Sequence, residues 1–433
     1  MTDAIIPPAS SSLSEGEIPH SKPLSKEGIS PTSSNGEISP TPPSSNEKIP
    51  TLSKLVMGGF NDQYYMARAL RLAERGLWST DPNPRVGCVL VRDGEIVGEG
   101  WHQAAGEPHA EIHALQMAKE KAAGATCYVT LEPCCHYGRT PPCTDALIKA
   151  AVGRVVVAIT DPNPLVSSKG IEQLLKAGIT VDTGVLSHEA EQLNPGFLMR
   201  MRENRPYIRC KLAMSLDGRT AMASGESQWI TSTEARSDVQ CLRARSSAIM
   251  TGAGTVLADD PRLSVRVDEL PCQLQPDKQV TIKQPLRVII DTHLSMPVDA
   301  RMLSLPGQTV IFTASNSETL KSMLEKAGAH VISVPSRDQA VDLQAVCQRL
   351  AEEYEVNEVH METGATLSGA MLRAGLIDEV VIYMAPILMG NKARGLFNLP
   401  DIERLNQHIP LDIVEIRAVG NDWRITAHPI NTR

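Results

Sequence analysis

Aromatic residues are scarce, with four Phe, seven Tyr and four Trp among 433 residues. That argues against a groove that grips single-stranded nucleic acid by stacking its bases. Positive charge is also short: 42 Lys and Arg face 50 Asp and Glu, for a formal net charge of −8. Such a balance opposes wrapping a phosphate backbone, so no nucleic-acid partner is expected, although one small phosphorylated ligand could still find a basic pocket. No apolar run is long enough to span a bilayer, and residues 1–22 lack the basic start and greasy segment of a secretory signal. The expected location is the cytoplasm, with no membrane partner. A disulfide framework is missing as well: of nine cysteines only Cys134, Cys135 and Cys143 lie close together, a pattern of buried thiols plus one local site.

What is present is enough apolar material, 42% of residues, for more than one core. Residues 1–58 stand apart. They are rich in Pro, Ser, Glu, Lys and Asn, they echo PTSSNGEI as PPSSNEKI, and they bury too little apolar surface to offset ordering entropy. A disordered tail is expected there, then domains over 59–204 and 205–433.

In the first domain Asn61 is the expected cap of a helix over 62–75, in which Tyr65, Ala69, Leu72 and Ala73 recur at helical spacing. Strands over 86–92 and 95–100 flank Asp93-Gly94, a strong hairpin signal. A helix to about residue 122, a strand over 125–131, a helix over 144–151, a strand over 154–160, a segment at 170–177 and one helix over 188–202 follow. This alternation predicts an α/β layered domain with a mixed sheet. Near Asn204 the pattern resets. Pro206 opens a strand, and Thr231 with Glu234 forms a capping box ahead of a helix to Arg243. Strands over 247–251, 287–291, 309–313, 331–334, 356–361 and 379–384, with helices over 318–327, 340–354 and 367–374, make a second α/β domain. Residues 268–284 read as a surface loop.

The chemistry is most legible at Pro108-His109-Ala110-Glu111 and from Glu132-Pro133-Cys134 to Pro142-Cys143. His109 starts a helix, Cys134 follows a strand and Cys143 opens the next helix. One imidazole and two thiolates suit Zn²⁺, and three protein ligands leave a fourth position for water. The two thiolates balance the charge of the ion, and the helix start helps keep the Cys143 sulfur ionised. Glu111, two positions after His109, lies about 200° around the helix from it, so it is expected to move protons rather than bind the metal. Cys135 is read as a bystander, because adjacent residues would strain a tight turn if both were ligands.

These motifs resemble the bifunctional riboflavin-biosynthesis deaminase–reductase family. The likeness runs from about Asn61 to the C-terminus and rests on NPRVGCVLV from Asn83, GEGWHQAAGEPHAEIHAL from Gly98 and LEPCCHYGRTPPC from Leu131. It implies a cytidine-deaminase-like three-layer domain with zinc on His109, Cys134 and Cys143, and Glu111 as the catalytic proton shuttle. Asn83, His102, His136 and Arg139 are the implied substrate contacts, Arg139 meeting the ribose phosphate.

In the second domain, Thr251-Gly252-Ala253-Gly254-Thr255 and Gly364-Ala365-Thr366-Leu367-Ser368-Gly369 each follow a strand. Neither is the ordered dinucleotide fingerprint, so a nucleotide site and ordinary tight turns both stay open on the residues alone. KLAMSLDGRTA from Lys211, SGESQWIT from Ser224 and TGAGTVLADDPRLSVR from Thr251 are similar to the family's reductase, a dihydrofolate-reductase-like α/β domain that uses NADPH. The resemblance implies cofactor contacts at Ala213, Trp229, Thr255, Asp259 and Gly364, Ala365, Thr366, Leu367, Ser368, Gly369 and Ala370. It implies substrate contacts at Ser227, Arg243, Leu263, Arg266 and Glu362. Thr363 departs from the glycine usual in relatives, which puts the local loop shape in question.

The expected partners are therefore small phosphorylated pyrimidines, deaminated first and then reduced at the ribosyl group. A homo-oligomer stays open, since no sequence feature decides it. The rivals are a cytidine- or guanine-type deaminase with an unrelated second domain, a nucleic-acid-editing deaminase, and a binding protein with a structural zinc site, which would normally close with a fourth protein ligand.

Overall fold

The computed structural model describes residues 52–137, 141–163, 167–271 and 282–430, and Leu52–Arg433 form one compact unit. The tail expected over 1–58 lies outside the described residues as far as residue 51. The first helix, α1, spans Leu52–Ala73 and runs through Asn61, which therefore does not cap it.

In the first half, β1 (Gly87–Arg92), β2 (Glu95–Trp101), β3 (Thr126–Leu131), β4 (Arg154–Ile159) and β5 (Thr180–Thr183) form a sheet of order β2-β1-β3-β4-β5. β1 is antiparallel to β2 and β3, while β3, β4 and β5 run parallel. Alternation along the strands sorts the core into two faces. Val89 and Val91 pack with Met66 and Ala69 of α1, and with Ala190 of α5 (Ser187–Leu193) and Phe197 of α6 (Pro195–Glu203). Cys88 and Leu90 pack on the other face with α2 (Ala110–Ala118), α3 (Cys143–Lys149) and α4 (Lys169–Lys176). The result is three layers. Gly98 and Gly100 let α2 lie directly on β2, since a Cβ there would come within 2.2 and 2.3 Å of the carbonyl oxygens of Ala114 and Ala110. The single helix expected over 188–202 is two, because Pro195 takes the first turn of α6 and cannot donate back into α5.

The second half builds a nine-stranded sheet from β6 (Tyr207–Ser215), β8 (Ala248–Gly252), β9 (Leu286–Ile290), β10 (Thr309–Thr313), β11 (Ala329–Ser333), β14 (Glu358–Met361), β15 (Glu379–Ala385), β17 (Leu411–Val419) and β18 (Asp422–Pro429). Its order is β11-β10-β9-β8-β14-β6-β15-β18-β17, parallel through β15 and antiparallel at the last two strands. Helices cover both faces: α7 (Thr233–Arg245), α8 (Ala253–Asp259), α9 (Glu318–Lys326), α10 (Leu343–Tyr354) and α11 (Ala365–Arg373). Short ladders β7 (Arg219–Ala221) with β16 (Arg394–Gly395), and β12 (Ser336–Arg337) with β13 (Ala340–Val341), complete it. The capping box expected at Thr231 is displaced by one residue: Ser232 is the N-cap of α7, and its side chain accepts from the Ala235 N–H at 3.3 Å. No helix among the described residues is long and apolar enough to cross a membrane.

The two halves meet through buried charge. Glu358 at the start of β14 accepts from Arg85 of the first half at 2.7 Å and from Arg209 and Arg245 at 3.1 Å each. Arg209 also reaches Glu379 at 2.7 Å. Burial alone would raise the Glu358 carboxyl, but the guanidiniums of Arg245, Arg85 and Arg209 hold it well below the usual carboxylate range.

Candidate functional site

His109 is the N-cap of α2 in extended conformation, so its carbonyl accepts from Ile112 at 3.1 Å while its ring turns toward the cysteines. Its Nδ1 lies 3.2 Å from Cys143 Sγ and 3.5 Å from Cys134 Sγ. The ligand atoms of His109, Cys134 and Cys143 all fall within 4.8 Å of one another. A tetrahedral zinc, with metal–nitrogen and metal–sulfur bonds of about 2.0 and 2.3 Å, separates such atoms by roughly 3.5 Å, so the donor set fits. The Cys143 thiol, His109 and the Cys143 N–H donate to Cys134 and, against its burial, hold it down to about 4, while that same donation pushes Cys143 up. Cys135 stands outside the group.

Glu111 is buried in the first turn of α2 and lines the same cavity as His109 and Cys134. Burial pushes its carboxyl up from the ordinary range, the direction that favours a group able to accept and return a proton. The cavity, of about 310 Å³, opens at the carboxyl ends of the parallel strands β3 and β4. Asn83, His102 and His136 line it, His136 from an exposed position at the rim. Asn83 Nδ2 is 3.0 Å from His102 Nε2, and His102 Nδ1 is 3.2 Å from the Pro108 carbonyl. Burial holds this imidazole below its ordinary value, and one consistent hydrogen-bond pattern has Nδ1–H donating to Pro108 and Nε2 accepting from Asn83. Arg139 lies outside the described residues.

The two glycine-containing loops of the second half come together. Glu362 N–H donates to Met250 O at 2.9 Å and Thr251 Oγ donates to Glu362 O at 2.7 Å, which sets the carboxyl ends of β8 and β14 side by side. The turn expected at 251–255 is in part the start of α8. A Cβ on Gly254 or on Gly364 would meet no atom within 4 Å, so both loops border open space, and Gly364 is the N-cap of α11, which has no side-chain cap bond. Free N–H groups beside open space at the carboxyl end of a parallel sheet fit the phosphates of a dinucleotide. Thr255, Ala365, Leu367 and Ala370 are half-buried, and Thr366 and Asp259 are exposed. Ser368 and Gly369 are buried on the inner side of α11, where a Cβ on Gly369 would stand 2.1 Å from the Asn398 carbonyl. Both pack inward and help seat the helix. Thr363 is not among the left-handed residues, so this loop shape does not need a glycine there.

Trp229 is 69% exposed, with the Arg236 guanidinium 4.6 Å from its ring centroid. Ala213, half-buried on β6, pairs in register with Tyr383. Arg243 donates to both oxygens of Glu362, at 2.6 and 2.8 Å, and to Ser264 O at 2.9 Å. The Arg243 guanidinium, an implied substrate contact, is therefore already paired within the protein. Arg266 carries the more open head, its side chain 28% exposed against 10% for Arg243, and contacts Glu269. Leu263 is buried with φ of 46°, and Ser227 is half-buried.

Comparison with known proteins follows this division. Residues 60–159 match the cytidine and deoxycytidylate deaminase zinc-binding region, and residues 206–425 match the RibD C-terminal domain. Riboflavin biosynthesis protein RibD of Escherichia coli is 54% identical over 362 residues, 83% of this chain and 97% of that protein. The chain belongs to the RibD family. RibD of Haemophilus influenzae is 47% identical over 85% of this chain and 97% of its own length. Acinetobacter baumannii RibD superposes with a TM-score of 0.78 at 45% identity, covering 86% of this chain and all of that one (100%). A diaminohydroxyphosphoribosylaminopyrimidine deaminase/5-amino-6-(5-phosphoribosylamino)uracil reductase from Thermotoga maritima gives 0.72 at 32% identity, covering 86% of this chain and 100% of that one.

Several residues of this RibD-family chain escape the sequence reading. Asp161 lines the cavity, and burial, the main cause, pushes it up to about 6. Glu132 accepts from the backbone N–H groups of Asp161, Ser168, Gly170 and Ile171 at 3.0 to 3.3 Å, and so holds the loop that Asp161 opens. The signal for Asp161 is its place directly after β4, at the carboxyl end of a parallel strand. Phe197 of α6 and Glu355 from the second half close the cavity, and no local pattern points to either.

Proposed function

We propose that the first half performs hydrolytic deamination of 2,5-diamino-6-(5-phosphoribosylamino)pyrimidin-4(3H)-one, and that the second reduces the ribosyl group of 5-amino-6-(5-phosphoribosylamino)uracil to ribityl. The observation that carries this is the convergence of His109, Cys134 and Cys143 within 4.8 Å in a cavity that also holds buried Glu111.

His109 Nδ1 and the two sulfurs would hold zinc, which when bound supplies the Lewis acidity that makes water nucleophilic at neutral pH. Glu111 would take one proton from the attacking water and give it to a ring nitrogen, then take the second from the hydroxyl of the resulting adduct and give it to the leaving amine, so that ammonia departs and a ring carbonyl remains. Asn83 and His102, whose ring stands edge-on to that of His109 at 5.4 Å, would orient the pyrimidine, and His136 and Arg139 would serve the phosphoribosyl arm.

In the second half the loops at Gly254 and Gly364 and the start of α11 would hold NADPH, with Trp229, Ala213, Thr255 and Asp259 along its length. When bound it supplies the hydride for C1 of the ribosyl group. Arg266 offers the phosphate contact, whereas Arg243 fixes Glu362 in place beside the sugar. Ser227 and Leu263 complete that wall. The acidic net charge supports small phosphorylated pyrimidines over nucleic acid, and the cytoplasm remains the assigned location. A homo-oligomer is supported by β17, whose Ile413, Val414 and Ile416 are exposed on an outermost strand.

Incubation with the diaminopyrimidine phosphate should release ammonia without NADPH, and NADPH oxidation should begin only once the deaminated product is present. Ammonia release that required NADPH, or none from zinc-loaded protein, would overturn the assignment.

A further inference from the structure

The cavity that holds Glu111 is not walled by the first half alone. Asn83, which lines it, directly follows Asp81-Pro82, and those two residues are gripped by side chains of the second half. Asn357 Nδ2 donates to the Pro82 carbonyl at 2.8 Å and to Asp81 Oδ1 at 3.2 Å. Ser247 Oγ donates to the same Asp81 oxygen at 2.6 Å, and itself accepts from the Asn357 N–H at 3.0 Å. The Asn357 side chain is fully used, since its Oδ1 accepts from Arg200 Nε of α6 at 2.7 Å. Asn357 is 6% exposed, so these bonds are shielded from competing water.

The same turn reaches the cavity by two other routes. Glu355, two residues earlier, lines it directly. Gly196 packs against the Asn357 backbone so closely that a Cβ would lie 2.5 Å from its carbonyl oxygen, which fixes the start of α6 and its neighbour Phe197, another wall residue. From Asn83 the contacts continue to His102 and on to the Pro108 carbonyl, the residue before His109.

We propose that Asn357, a residue of the reductase half, is a positioning residue for deamination: its carboxamide sets the Asp81-Pro82 turn and thereby places Asn83 against the pyrimidine. The inference rests on the reading of this cavity as the deaminase site. It also explains a division of labour along β14. Asn357 stands at the amino end of that strand, while the reductase residue Glu362 follows its carboxyl end, so the first can change without touching the second.

The test uses the full chain with Asn357→Asp and Ser247→Ala. Aspartate keeps the shape and the oxygen that serves Arg200, but it loses both N–H donations and sets a carboxylate beside Asp81. Each variant should raise KM for ammonia release about tenfold, with kcat changed less than threefold. The pair together should do less than the product of the two, because both hold one turn. Zinc content, and NADPH oxidation with the deaminated substrate, should stay within twofold of the unaltered chain. An unchanged KM in Asn357→Asp overturns the inference, as does a parallel fall in both activities, which would mark a merely structural role. If the unaltered chain itself releases no ammonia, the reading of the cavity fails and the inference with it. A missing variant effect against an active unaltered chain overturns the inference alone.

Discussion

Arg243 and Glu362 close on each other through two parallel hydrogen bonds, Nε to Oε1 at 2.6 Å and Nη2 to Oε2 at 2.8 Å, with His360 Nε2 3.0 Å from the same Oε1. Burial works against the carboxylate, but Arg243 and His360 hold it well below the ordinary range. Arg243→Ala leaves that charge buried with a neutral partner, and a loss of about 3–5 kcal/mol is expected in urea unfolding. Joint replacement by Met at 243 and Leu at 362 should restore most of it while abolishing reduction. Full stability of the single variant would show the pair to be incidental.

Loss of one ligand of three weakens a zinc site directly. Cys143→Ser should therefore carry well under half the metal of the unaltered chain by elemental analysis and lose ammonia release, whereas Cys135→Ser keeps both. Metal lost only from the Cys135 variant would reverse the ligand assignment.

Glu111→Gln keeps the fold of the α2 start and the metal ligands but cannot cycle a proton. Deamination should fall by about 10² to 10⁴. Reduction, assayed separately with the deaminated substrate and NADPH, should persist. Loss of both activities in folded, zinc-loaded protein would show that the sites are not separate.

Glu358 predicts a pH dependence of the contact between the halves. Its folded pKa lies below the unfolded value of about 4.3, so its stabilisation is fully present above that value and drains away as pH falls through the folded one. The thermal midpoint of the unaltered chain should drop steeply below about pH 4. Glu358→Gln should melt lower at pH 7 and show a shallower acid limb. Parallel curves for the two proteins would remove Glu358 as the cause.

The convergence of His109, Cys134 and Cys143 is legible in the sequence because each stands at a junction between elements whose periodicity can be read. What joins distant segments is not. Nothing near Asn83 announces Asn357, and nothing near Arg243 announces its pairing with Glu362, because such contacts depend on strand order and not on local spacing. Boundaries slip for smaller reasons: Thr231 and Ser232 are both competent caps, and only the backbone geometry selects the second. The β17–β18 hairpin is missed because β17 is exposed on nearly all its residues and so shows no buried face.

The two sheets also differ in when they can close. In the first, the order β2-β1-β3-β4-β5 pairs each strand with one made shortly before or after it. In the second, β6 ends at Ser215 but lies between β14 and β15, which begin at Glu358 and Glu379. As the chain leaves the ribosome, the first half can assemble its sheet early, while β6 must wait exposed until almost the whole polypeptide has emerged. The grip of Asn357 on the Asp81-Pro82 turn arrives at that same late stage, so a nascent or truncated chain would have a deaminase sheet before it has a finished deaminase cavity.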